Sequence, residues 1–402
     1  MAIDIEVLHS DVAIVGAGLV GLAAAVAFHQ AGFSVVLVDG RSSAEISSDN
    51  QSAVWDNRVY AISPKNAAWL LHLGVWPRLN PKRICEMQAM EVFADGVQPP
   101  LALSASDVNE SALGFIVEAK SLMLALMQQV ETLGISTLFG SSGHDLIVNA
   151  NDTILHLDNQ QAIACKLLLA ADGSHSWIRQ QLNMAMQQKS YDQTAIVANF
   201  AVEKTHGHIA RQWFAQDANG HNSILAWLPL PDNQISIVWS VANEYANQLL
   251  ALSEDEFTKA VSMAGNAALG EFKLVSPVAA FPLALQKAHA FVQHSVVLVG
   301  DAAHQIHPMA GQGVNLGFRD VIDLLEVIKE KGQYQAINDI SLLKRYTRAR
   351  KVDVMNMLLL TDGLYQLFES QNNVIKKVRH WGLTATQASA IKKMLVANAI
   401  TL

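Results

Sequence analysis

The 402-residue chain is 51% hydrophobic and 16% charged, which excludes disorder and leaves room for two to three domains of ~150 residues whose core needs no staples. Its 28 basic and 36 acidic side chains give a net charge of −8, so the positive face of a general nucleic-acid binder is not expected and neither is a nucleic-acid partner. Two cysteines, Cys85 and Cys165, cannot make a disulfide framework, and a reducing, cytoplasmic compartment is the expectation.

The first residues carry Asp4 and Glu6 where a secretory signal would place positive charge, so no such signal is expected. Residues 12–28 run for 17 positions without a polar side chain, long enough to raise the alternative of a membrane span. The glycines inside that run give a better account. Residues 12–15 read as a buried strand, 19–31 as an alanine-rich helix closed by Gly32, and 34–38 as a second strand, together a βαβ unit. Residues 41–53, rich in Ser, Asp and Asn, read as an exposed loop. A helix is predicted over 66–73, ended by Gly74-Val75-Trp76-Pro77, and another over 118–133. Residues 153–157 and 162–170 read as strands. After Lys189 the texture changes. Segments 194–202, 224–228 and 234–241 are separated by the turn signals Asp217-Ala-Asn-Gly220 and Pro229-Leu-Pro-Asp-Asn233, the pattern of an antiparallel sheet. Residues 296–299 return to a buried strand, and the chain from Gly317 onward reads as mostly helical.

Gly16-Ala-Gly18-Leu19-Val-Gly21 follows the first strand and opens the first helix, and Asp39 ends the next strand 18 residues after Gly21. The first glycine permits a tight turn, the second lets backbone approach a pyrophosphate, and the third lets helix and strand pack closely. Free N–H groups at the helix start hold phosphate, and the acid accepts from ribose hydroxyls. This pattern leaves open which dinucleotide is bound. A second strand ends at Gly300-Asp301 and leads through Pro308 to Gly311, Gln312 and Gly313, where another helix begins. It suggests that the same cofactor is held at its other end. A third element, Ala170-Ala-Asp172-Gly173-Ser174, is again strand, acid, glycine and helix, although an ordinary turn capped by Ser174 would look the same.

These three elements in this order resemble the class A flavoprotein monooxygenases, the para-hydroxybenzoate hydroxylase fold. Asp56-Asn-Arg58-Val-Tyr-Ala-Ile-Ser63, Leu73-Gly-Val-Trp76, Gly300-Asp-Ala-Ala-His304 and Gly311-Gln-Gly-Val-Asn-Leu-Gly317 are similar to the ubiquinone-biosynthesis hydroxylases over nearly the whole chain. The resemblance implies FAD as cofactor, NAD(P)H as transient reductant, and hydroxylation of a polyprenylated phenol ring through a C4a-hydroperoxyflavin formed with O2. It implies cofactor contacts from Gly16, Gly18, Leu19, Gly21 and Asp39, which stands where many relatives carry Glu. Asp172 and Gly173 would lie near the pyrophosphate and serve NAD(P)H, and Gly300 and Asp301 near the ribityl chain. Arg58 would lie near the flavin, and Pro308, Gly311, Gln312, Gly313, Val314 and Asn315 would line its ring, with His304 alongside. No catalytic base is identified. The fold class expected is α/β: a Rossmann-like FAD-binding domain (1–77, 101–188 and 275–345) interrupted by an antiparallel-sheet substrate domain (78–100 and 189–274), with a helical C-terminal region (346–402).

Other residues invite weighing. His304 and His307 suggest a metal, but no cysteine or carboxylate cluster supports one and none is expected. Cys85 and Cys165 read as buried, inert thiols. Trp213, Phe214, Trp227 and Trp239 read as sheet packing rather than substrate contacts, and Arg211 as a solvated charge. Lys344-Arg-Tyr-Thr-Arg-Ala-Arg-Lys351 and the apolar stretch after it read as helix packing, with peripheral contact to the inner membrane as the alternative. The resemblance also raises membership of a biosynthetic complex and a homo-oligomer. The competing functions are a monooxygenase of another aromatic, a flavin reductase of an isoprenoid, and a non-catalytic FAD-binding scaffold.

Overall fold

The computed structural model describes residues 6–47, 55–94, 99–216, 220–305 and 313–369. Strand β1 (Glu6–Val15) enters the core at Val12 and leads into helix α1 (Leu19–Gln30); β2 (Val35–Asp39) then runs parallel to β1. Every residue of α1 from Leu22 to Phe28 is at most 2% exposed, so the apolar run that could suit a membrane is a strand followed by a core helix. Among the described residues no helix is long and apolar enough to cross a membrane. The segment expected as a loop begins with a short helix, α2 (Ser43–Ser47), and its remainder lies outside the described residues.

Strand β3 (Val59–Ile62) precedes α3 (Pro64–His72), whose first turn is capped by the Ser63 hydroxyl accepting from the Asn66 N–H. Strands β4 (Ile84–Met87), β5 (Ala89–Ala94), β6 (Leu101–Ser104) and β7 (Gly114–Glu118) lead to α4 (Ala119–Thr132). Then come β8 (Ser136–Phe139), the hairpin of β9 (Gly143–Val148) and β10 (Thr153–Leu157), β11 (Gln161–Ala170) and the short α5 (Trp177–Gln181). The middle region holds β12 (Met186–Val202), β13 (Ile209–Gln216), β14 (Asn222–Leu230), β15 (Gln234–Ala242), α6 (Asn243–Leu250), α7 (Glu254–Ala264), β16 (Phe272–Leu274) and β17 (Ala279–Ala288). The chain closes with β18 (Val292–Gln293), β19 (Val296–Leu298), β20 (His304–Gln305), α8 (Gly313–Lys329) and α9 (Ile340–Glu369).

Two large sheets organise these pieces. The first has a parallel core in the order β19-β11-β1-β2-β8, with α1 packed between it and helices α4 and α8. The second is largely antiparallel, in the order β20-β17-β12-β15-β14-β13-β5-β6. It reaches beyond the expected segments 78–100 and 189–274, because the 17-residue β12 pairs with β15 at one edge and with β17 at the other. A three-stranded sheet, β3-β7-β4, stands beside them. Helices α6 and α7 were not expected. Ser253 and Glu256 form a capping box at the start of α7, a signal already present in the sequence.

Alternation along β13 separates Trp213 from Phe214. Trp213, Trp227 and Trp239 pack with Leu249 of α6 and with Phe257 and Val261 of α7 on the outer face of the second sheet. Phe214 packs on the other face with Ala195, Ile224, Leu283 and Leu285. Arg211 is not a solvated charge. Its side chain is 14% exposed and its Nε donates to Glu91 at 2.9 Å, directly across the β13–β5 pair.

Both cysteines are 2% exposed, and burial pushes each thiol up to about 12. The folded protein at neutral pH is therefore expected to resist alkylation by iodoacetamide, with both thiols modified only in denaturant. Intact-mass measurement checks this; rapid labelling of the folded chain would contradict it.

Candidate functional site

The three acid–glycine turns meet because of strand register. In the parallel sheet Val15 lies opposite Ala170, Ala170 opposite Leu298, and Val15 opposite Val38. The carboxyl ends of β1, β2, β11 and β19 therefore share one edge, which places Gly16, Asp39, Asp172 and Gly300 side by side. Ligands of open parallel sheets bind at such an edge.

The glycines at this edge have distinct reasons. Gly16 has φ +106°, and a Cβ there would lie 2.4 Å from the Ala171 carbonyl oxygen; at Gly21 it would lie 1.8 Å from the Gly16 carbonyl oxygen. Both are required by protein packing. Gly18, the N-cap of α1, differs: a Cβ there would meet nothing within 4 Å. Packing does not demand glycine at this position, whereas close approach of a pyrophosphate to the backbone does, so the residues present fit a dinucleotide. Leu19 begins α1 and is 9% exposed.

Asp39 accepts from the Ala17 N–H at 2.6 Å and from the Arg41 N–H, Nε and guanidinium terminus at 2.9, 2.9 and 2.8 Å. Burial raises its carboxyl, but these donors outweigh burial and hold it below the usual range. At the third turn Asp172 accepts from the Ile178 N–H at 3.1 Å, while its other oxygen is buried without a partner. Burial raises this carboxyl above the usual range. Gly173 follows with φ +81°. The serine that caps α5 is Ser176, not Ser174, with its hydroxyl accepting from the Arg179 N–H at 3.0 Å. Ser174 instead offers its carbonyl to Arg179.

Gly300 has φ +60° and packs against Val20 of α1, as does Gly317 of α8. Asp301 is exposed, yet enough protein surrounds it that desolvation raises its carboxyl; His304 and Arg58 pull it back. His304 is 3% exposed, with its ring beside Phe291 and its Nε2 bonded to Asp320 at 2.8 Å. Gly313 and Val314 open α8. The Asn315 side chain is committed to protein: it accepts from the Ser63 N–H at 3.0 Å and donates to the Ala61 carbonyl at 2.7 Å. Pro308, Gly311, Gln312 and His307 lie outside the described residues. Among the described residues no group of His, Cys, Asp and Glu could hold a metal.

Arg58 is exposed at the start of β3, with its guanidinium 5.3 Å from the Phe281 ring centroid. Phe281 is paired with Ala195, so it lies on the same sheet face as Phe214. Arg58 thus joins the phenylalanine face of the second sheet to the Asp301 edge of the first. The segment before it is pinned. Glu118, 2% exposed, accepts from the Asp56 N–H at 2.8 Å and from Arg83 at 2.6 Å, and Asn199 donates to the carbonyls of Trp55 and Asp56. Tyr60, bonded to Arg58, has its phenol raised by burial. Sequence reasoning missed Glu118, Arg179 and Asp320, buried charges whose partners are distant in the chain.

Comparison with known proteins follows the same lines. The family described as FAD binding domain matches residues 9–359. The chain is 32% identical over 389 residues to 3-demethoxyubiquinol 3-hydroxylase of Escherichia coli, covering 96% of each chain. It is 30% identical over 394 residues to ubiquinone hydroxylase UbiL of Rhodospirillum rubrum, covering 97% of this chain and 89% of that one. Its fold is similar to the crystal structure of p-nitrophenol 4-monooxygenase PnpA from Pseudomonas putida, with TM-score 0.75, 16% identity, and 98% and 99% of the two chains covered.

The contrast between glycines is testable. Gly18→Ala is expected to leave thermal stability nearly unchanged while weakening FAD binding about tenfold or more, since its methyl enters the pyrophosphate's space. Gly21→Ala is expected to cost about 1–3 kcal/mol of stability through overpacking. Thermal unfolding without cofactor and FAD titration of apoprotein, run on both variants, check the pair.

Proposed function

Because the chain belongs to the FAD binding domain family, and within it to the ubiquinone hydroxylases, we propose that it is a FAD-dependent monooxygenase that hydroxylates the ring of a polyprenylated phenol or benzoquinol in ubiquinone biosynthesis. The observation that carries this reading is the meeting of three acid–glycine turns at one sheet edge, in a chain that covers 96% of a curated hydroxylase. The net reaction consumes the unhydroxylated ring, O2, NAD(P)H and one proton and yields the hydroxylated ring, NAD(P)+ and water. Bound FAD supplies the electron transfer and oxygen activation that side chains lack.

The chain's own residues bind, orient and exclude water. The N-terminus of α1 at Gly18 receives the pyrophosphate, and Asp39 receives the ribose. Asp172 and Gly173 support the same region, and Gly300 and Asp301 hold the ribityl half. The N-terminus of α8, at Gly313 and Val314, would offer its positive dipole end to the bound flavin. The face bearing Ala195, Phe214, Ile224, Leu283 and Leu285 offers an apolar wall for the substrate ring and keeps water from it. Arg58 stands where this wall meets the cofactor edge. Burial raises the Tyr60 phenol above its usual range, beside Arg58. In this reading the parallel sheet and its helices bind FAD and the second sheet holds the substrate.

The first test is the visible spectrum of purified protein, followed by NADH and NADPH oxidation with and without a prenylphenol. A yellow protein, substrate-stimulated oxidation and a product one oxygen atom heavier are expected. Yellow protein without stimulation by any prenylphenol would favour a scaffold, and protein that FAD cannot reconstitute would overturn the reading.

Helix α9 supports peripheral contact with a membrane, where a polyprenyl substrate resides. Leu342, Leu343, Tyr346 and Val354 are buried, which is the packing face. Lys344, Arg348 and Lys351 are exposed, as are Val352 at 62% and Met355 at 45%. This basic and apolar face suits anionic lipid. Replacing Lys344, Arg348 and Lys351 together by Glu is expected to abolish co-sedimentation with anionic vesicles; unchanged binding would overturn the assignment.

A further inference from the structure

Asp301 lies on a turn whose neighbours are held by charged side chains from three other elements. On one side is Asp320 of α8, with a side chain 1% exposed. Its Oδ2 accepts from the Gly300 N–H at 2.8 Å and from His304 Nε2 at 2.8 Å, and its Oδ1 accepts from Arg350 Nε of α9 at 2.7 Å. Arg350, also 1% exposed, further donates to Asp323, Asp353 and the Leu316 carbonyl. On the other side is Arg179 of α5, 7% exposed, which donates to the Ala302 carbonyl at 2.9 Å and the Ser174 carbonyl at 2.7 Å. The N–H before Asp301 and the carbonyl after it are thus both bonded to buried charge.

A buried ion network is weak evidence for stability, because apolar replacements of the same volume often serve as well. What hydrocarbon could not supply is direction. Charge-assisted bonds to one N–H and one carbonyl fix the orientation of the peptide units between them. We propose that Asp320 and Arg179 are positioning residues that clamp the Gly300-Asp301-Ala302 turn from both sides and set where Asp301 meets the ribityl–flavin half of the cofactor. This rests on the FAD reading above. The clamp on Gly300-Asp301-Ala302 acts at the flavin half, whereas the adenosine half is held by α1 and Asp39; Arg179 touches the Asp172-Gly173 turn as well, through the Ser174 carbonyl.

The test compares FAD with ADP, which carries the adenosine and both phosphates but neither the ribityl chain nor the flavin ring. In Asp320→Asn the carboxamide offers one acceptor oxygen, and its NH2 faces donors. FAD affinity, read by flavin fluorescence on titration of apoprotein, is expected to fall about tenfold, with ADP affinity from calorimetry within about twofold of wild type. The shape of the visible flavin band is expected to change as well. Arg179→Met, outside the α8–α9 network, is expected to lower FAD affinity about tenfold and ADP affinity by clearly less, the smaller loss arising because Arg179 also holds the Ser174 carbonyl beside the Asp172-Gly173 turn, and it keeps the test available where Asp320→Asn does not fold. FAD and ADP affinities falling together, or neither moving, would overturn the clamp. Wild-type apoprotein that binds ADP but not FAD would instead overturn the cofactor reading on which it rests.

Discussion

The cofactor edge depends on one close approach, the backbone of Gly16 lying against Ala171 and Asp172. A side chain at residue 16 would overlap the Ala171 carbonyl, so β1 and β11 can run to matching ends only with glycine there. That match brings two turns, one at Gly16 and one at Asp172, to the same place although they lie far apart in the chain. Gly21 repeats the device one turn into α1, and Gly317 with Gly300 repeats it against Val20. The cradle for a large anionic ligand is made by removing side chains where protein meets protein, and by leaving Gly18 open where protein meets ligand.

Around this apolar and glycine-rich contact the polar groups divide by task. Asp39 and Asp301 sit at the edge itself. Glu118, Arg179 and Asp320 lie behind it, nearly buried, and each ties a segment that bears a site residue to an element distant in sequence. Asn315 does the same with a neutral side chain, joining the start of α8 to the end of β3. The second sheet is built on the opposite economy. Its outer face is closed by three tryptophans under α6 and α7, while the face with Phe214 carries Phe281 at its edge beside Arg58.

Much of this was legible along the chain. The βαβ unit, the three acid–glycine turns, the antiparallel middle and the buried thiols are local patterns: period, turn chemistry and glycine spacing. The helices α6 and α7 were missed although Ser253 and Glu256 signalled one of them, because strand-like neighbours dominated the reading. Arg211 was misread because its partner, Glu91, is supplied by β5, which no local pattern places beside β13. The cap of α5 moved from Ser174 to Ser176 because the turn carries two extra residues before the helix begins.

The sequence by itself determined where the acid–glycine turns fall and which strands are buried, since glycine spacing and apolar period act over a few residues. Tertiary structure alone decided which sheet face each aromatic side chain takes, which buried charges hold the turns, and how far β12 carries the second sheet. Those outcomes depend on register between strands and on ion pairs between elements such as α8 and α9, contacts whose two halves lie too far apart in the chain for any local pattern to join them.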